Sequence, residues 1–78
     1  MWTNVYSAEA LGGFISEARR ASGERQIEYA KRLGVAPATL SALETGKNVG
    51  THVAEAALQL LGFRLVVVPK DADVEVRP

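Results

Sequence analysis

Residues 24–46 read ERQIEYAKRLGVAPATLSALETG, and the spacing of apolar residues and chain breakers within them decides the fold. Ile27, Ala30 and Leu33 fall on one face of a helix over 24–33, with Glu28, Lys31 and Arg32 on the other and Gly34 closing it. Only Val35 and Ala36 then stand before Pro37. The fixed φ and missing N–H of that proline suit the first position of a new helix, which runs to about Thr45 with Leu40 and Leu43 inward and Gly46 as its stop. Two helices joined by so short a Gly-containing turn meet at a steep angle.

Outward from this pair, Ser7 before Ala8 and Glu9 reads as an N-cap with an acid in the first turn. Leu11, Phe14, Ile15 and Ala18 share one face, so a first helix spans about 8–22 and stops at Gly23. Gly12 and Gly13 each cost about 1 kcal/mol relative to Ala inside a helix. Either another backbone approaches there, or the helix is weak and starts late, near Leu11. Residues 1–6 (MWTNVY) form an extended arm able to set Trp2 or Tyr6 on a helix. On the other side, Thr51 caps a fourth helix with Val53, Ala54, Ala57, Leu58 and Leu61 as its apolar stripe, ending at Gly62. The period then changes: Phe63–Val68 (FRLVVV) is a strand stopped by Pro69, and Val74-Glu75-Val76 alternates as a short strand or tail. The reading is a mainly α single domain of four to five helices over 1–78, with a helical core at 7–62, a strand at 63–69 and a short strand or tail at 70–78.

A lone strand leaves a row of unpaired N–H and C=O groups and needs a partner. The candidates are segment 74–76, the N-terminal arm, or the same strand of a second chain. Pairing across a two-fold dimer is favoured here over an internal hairpin. It makes Phe63, Leu65, Val66, Val67 and Val68 the dimer interface.

Composition limits what the chain can do. Its 78 residues carry 9 Lys+Arg against 9 Asp+Glu, one His and no Cys, which excludes disulfides and Cys-ligated metal. Zero net charge argues against a polybasic coat for nucleic acid. The longest purely apolar run, Leu65–Val68, is far short of the roughly 20 residues of a membrane span, and Met1–Tyr6 has no signal-peptide pattern, so a cytoplasmic protein is the default. His52 has no nucleophile or metal-ligand companion in a suitable pattern, and Gly12-Gly13 follows no strand. No enzyme activity, metal or cofactor is expected.

Arg19, Gly23, Gln26, Ala30, Leu33-Gly34-Val35, Thr39-Leu40-Ser41, Leu43-Glu44 and Gly46-Lys47 together resemble the helix-turn-helix of the lambda-repressor-like, xenobiotic-response-element family. The match runs without a gap over about residues 11–61. Leu61-Gly62 followed by Phe63-Arg64-Leu65-Val66-Val67 is similar to the tail of the small HipB-like antitoxins. That resemblance implies a homodimer paired through the terminal strand, an inverted-repeat operator in double-stranded DNA, and a kinase-like toxin as partner. It also implies that Arg19 and Glu44 form a buried ion pair tying the first helix to the recognition helix. Gln26 is implied to set its amide and its backbone N–H on a phosphate at the positive end of the second helix.

Helix 3 then lies in the major groove. By the helical period Ala36, Pro37 and Ala38, and one turn later Ser41 and Ala42, face outward, with the Thr39 hydroxyl beside them. Relatives use Gln, Lys, Arg or Asn at several of these sites. The bidentate base contacts worth about 1–3 kcal/mol of discrimination are therefore missing. Arg25, Lys47 and Asn48 suit phosphate contacts, and residues 11–50 hold six basic groups against four acids, a local +2. Three accounts follow: readout by DNA shape and dimer spacing, apolar contacts in a T-rich half-site, or a scaffold that has given up DNA binding for a protein partner. The chain reads as a DNA-binding regulator and antitoxin, with a protein-interaction module on the same scaffold as the alternative.

Overall fold

In a computed structural model of the chain, residues 3–5, 7–47, 50–68 and 73–78 are described. Four helices, α1 (Ala8–Ala21), α2 (Gln26–Leu33), α3 (Pro37–Glu44) and α4 (Thr51–Leu60), stand between β1 (Thr3–Val5) and the pair β2 (Arg64–Val68) and β3 (Asp73–Arg77). Trp2, Tyr6, Asn48 and Pro69 lie outside the described residues.

Ser7 caps α1 as expected, its hydroxyl accepting from the Ala10 N–H at 3.0 Å. The helix therefore starts at Ala8 rather than near Leu11 and carries both glycines in its interior. Gly12 is there because α3 crosses it: a Cβ on Gly12 would stand 2.2 Å from the Leu43 carbonyl oxygen and 2.9 Å from Glu44 backbone atoms. Gly46 mirrors this from the other helix. It turns the chain after α3 with φ +83, and a Cβ on it would lie 2.7 Å from the Glu9 Cα. The two helices thus touch backbone to backbone, which only residues without side chains permit.

The core comprises Ile15, Tyr29, Ala30, Leu40, Leu43, Ala54, Ala57, Leu58 and Val76, with Leu11, Phe14, Leu33, Val35, Val53, Leu61 and Phe63 packed around it. Helix α2 corrects the sequence reading. It begins at Gln26 with Arg25 at its cap, not at Glu24. Ile27, expected inward, is 70% exposed, and Tyr29 is fully buried. The Tyr29 hydroxyl donates to the Ala57 carbonyl. That carbonyl sits in the last turn of α4, where the Leu61 N–H bonds Leu58 instead, so the phenol fills a place the helix leaves open. Burial, and secondarily the Glu24 carboxylate, push the phenol up to about 12. Helix α4 brings a second correction, since Gly50 occupies its N-cap and Thr51 is its first helical residue.

The strand of the C-terminal segment starts at Arg64. Phe63 stays outside it and meets Phe14 edge to face, with ring centroids 5.0 Å apart at 83°. The partner of β2 is found within the chain. β3 runs antiparallel to it with Val66 opposite Glu75, and antiparallel to β1 with Asn4 opposite Glu75. Of the intrachain candidates, segment 74–76 pairs with β2, whereas the N-terminal arm pairs with the far side of β3 and not with β2. Strands of three and five residues carry little periodicity, so spacing alone does not mark them as partners. Val76 of the middle strand is fully buried in the core, and the sheet packs on α4 through β2 and on α1 through β1.

Candidate nucleic-acid interface

The predicted ion pair forms. Arg19 Nε donates to Glu44 Oε2 at 2.7 Å and its Nη2 to Oε1 at 3.0 Å, with both side chains buried. Its Nη1 donates to the Glu24 carbonyl at 2.8 Å, fixing the turn between α1 and α2. The hydrogen bonds to Glu44 are the main cause holding the guanidinium pKa above its ordinary value, against the opposing effect of desolvation.

Gln26 joins the same network. Its Nε2 donates to Glu44 Oε1 at 3.0 Å, so one carboxylate at the end of α3 is clamped from α1 and from the first residue of α2. Sequence reasoning placed Gln26 on a phosphate. Here one amide hydrogen is spent on Glu44, and the side-chain position is set before any ligand arrives. A contact spanning 18 residues between two helices has no signature in sequence spacing.

Around this clamp the turn has the expected geometry. Gly34 closes α2 at φ +77, the Val35 N–H returns to the Ala30 carbonyl at 3.1 Å, and Pro37 opens α3. Ala36, Pro37 and Ala38 are exposed, Thr39, Ser41 and Ala42 half-buried, and Leu40 and Leu43 buried. Only the first turn of α3 is fully presented. No side chain caps that turn, because the N-cap is Ala36. At the far end the Thr45 hydroxyl donates to the Ser41 carbonyl at 2.9 Å.

About half of the basic side chains of residues 11–50 are paired. Exposed Arg25 reaches Glu28 with Nη2 to Oε2 at 3.1 Å. The hydrogen bond lowers the Glu28 carboxyl below its usual range and raises Arg25. Its i,i+3 spacing makes this pair legible in the sequence. Arg32 pairs with Glu24, eight residues away and not readable. Arg20, Lys31 and Lys47 form no ion pair among the described residues, and Lys47 is exposed just beyond α3. Among the described residues no group of His, Cys, Asp and Glu could hold a metal ion, and no helix is long and apolar enough to cross a membrane.

No curated protein matches the chain. A family model described as a helix-turn-helix domain matches residues 10–70, from the first turn of α1 through β2. A domain of this kind suggests a DNA-binding regulator. With most of its length matched and its turn and clamp in place, the chain belongs to the helix-turn-helix domain family.

Proposed function

We propose that the chain is a sequence-specific transcriptional regulator that binds an inverted repeat as a homodimer, with the first turn of α3 in the major groove. The observation that carries this is the Arg19–Glu44–Gln26 clamp. It holds the recognition helix rigidly on two neighbours while leaving Ala36, Pro37 and Ala38 clear, and a pre-set reading element loses little freedom on binding. Gln26 and Arg25 at the start of α2, with Lys47 and Asn48 beyond α3, supply backbone contacts. β2 is an outer strand of its sheet, so its second edge is the surface for pairing with another copy.

The xenobiotic-response-element and HipB-like features support a finer reading. In it the protein is the antitoxin of a toxin-antitoxin pair, represses its own operon and neutralises a kinase-like toxin. A neighbouring kinase-like gene whose product copurifies with this chain is the expected finding for that reading.

The decisive experiment is a salt titration of binding to the duplex upstream of its own gene, beside a scrambled duplex of equal composition. Preference for the native duplex that persists as salt rises is expected. Equal affinity for both ends the repressor reading and favours the alternative, a protein-interaction module, which the apolar α3 turn and exposed Ile27 support. Sedimentation tests the dimer separately: a particle of the 8.4 kDa monomer mass at micromolar concentration overturns it.

A further inference from the structure

We propose that one flank of α4, made by Val53, Ala56 and Leu60, is a docking surface for the same flank of a second copy of the chain. The inference rests on the homodimer reading above and adds to it a surface that β2 does not supply. The fully covered side of α4 carries Ala54, Ala57 and Leu58, with half-buried Leu61 just past its end packed on the same core. His52, Glu55 and Gln59 are exposed and make the polar face. By the helical period Val53, Ala56 and Leu60 fall between these two faces, all on one side. Val53 and Ala56 are half-buried and Leu60 is 38% exposed. The apolar arc of α4 is therefore wider than the core it covers.

The spacing of the three residues selects a helix as the occupant. Steps of three and then four make the narrow seam along which one helix lies against another. A single exposed leucine is commonplace on a protein surface, but an uncharged seam along a helix has the composition of an interface centre. Size then selects a second copy. The outer edge of β2 offers five residues, whereas a stable interface engages roughly 20–30 residues a side, so strand pairing alone is too small to hold two copies together. Because β2 packs on α4, the free edge and the flank belong to adjoining elements, and one partner covers both. A two-fold axis sets the flank against itself. Ala56, midway along the seam, then faces its own counterpart, and its short side chain lets the two helices approach closely.

The test is sedimentation of the full chain over a range of concentrations, wild type beside Leu60→Glu and Gln59→Glu, with the helical content of each checked by circular dichroism. Leu60→Glu places a charge in the seam of both copies and should raise the dimer dissociation constant at least about tenfold. Gln59→Glu adds the same charge on the polar face and should leave the constant unchanged. The chain has no Cys, so a single introduced thiol gives a second readout. Mild oxidation should link Ala56→Cys into a disulfide dimer, since that bond needs the two Cα atoms within about 7 Å, and should leave Gln59→Cys unlinked. If Leu60→Glu loses helical content, the Ala56→Cys readout decides alone, and failure to crosslink overturns the proposal. A wild-type dimer whose dissociation constant is the same in folded Leu60→Glu overturns the docking flank and leaves the homodimer standing on β2. A wild-type chain that stays a monomer overturns the flank and the homodimer together.

Discussion

Arg19 and Glu44 meet through two parallel hydrogen bonds, at 2.7 and 3.0 Å, inside the angle between α1 and α3. A carboxylate so placed holds α3 by charge as well as by packing. Glu44→Gln leaves the guanidinium buried with its charge uncompensated, and we expect a loss of about 3–5 kcal/mol in urea denaturation. Arg19→Met together with Glu44→Leu removes both charges and should recover much of that loss. A cost below about 1 kcal/mol for Glu44→Gln would place the pair in solvent.

Two adjacent glycines should respond in opposite directions. Gly13→Ala meets nothing within 4 Å and gains helix propensity, so stability should rise by up to about 1 kcal/mol. Gly12→Ala gains the same propensity but drives its Cβ into the Leu43 carbonyl. It should lose about 1–3 kcal/mol, as overpacked cores do. Thermal melts of the two variants side by side check the crossing directly.

How much of this was legible beforehand depends on what carried the signal. Ser7, Gly23, Gly34, Pro37 and Gly46 punctuate the helices through local backbone chemistry, so the bounds of α1 and α3 emerged within a residue or two. The α1–α3 crossing was half legible. Two helix-interior glycines announce a close backbone, but only the packing chooses Gly12 over Gly13. Tyr29 was hidden because Ile27 is the more apolar residue and completes a neat stripe with Ala30 and Leu33. The first turn of α2 in fact overhangs the core, and the larger ring two residues on reaches α4. The interface divides likewise. Arg19 and Glu44 came from a family pattern, whereas the Gln26 hydrogen bond depends on the angle between helices.

The Tyr29 phenol makes stability sensitive to alkali. Unfolded tyrosine loses its proton near pH ~10, whereas burial keeps this one protonated to about 12. The protonated form is favoured in the folded state, so its contribution is complete below pH ~10 and is lost as pH rises through about 12. Tyr29→Phe should flatten that part of the stability curve. It should also cost about 1–3 kcal/mol at neutral pH through the abandoned Ala57 carbonyl. Denaturant midpoints at pH ~8 and pH ~11 separate the two effects.

Arg25 and Glu28 pair on the surface, so under the proposed function a DNA phosphate competes with Glu28 for the guanidinium. Glu28→Gln should raise affinity for any duplex and steepen the dependence of log K on log salt by about one ion. Lys47→Gln should lower affinity uniformly across sequences and make the slope shallower by about one. Unchanged slopes in both variants would move the phosphate contacts elsewhere.

The sheet order β1-β3-β2 places the last described strand between the other two, with Thr3 opposite Val76. Neither β1 nor β2 has its neighbour until residues 73–77 have been made. During synthesis the helices can assemble while both edges wait, and residues 73–77 then bridge β1 and β2 as the middle strand. Loss of residues 73–77 from the sheet thus costs the fold two strand pairings and the buried Val76.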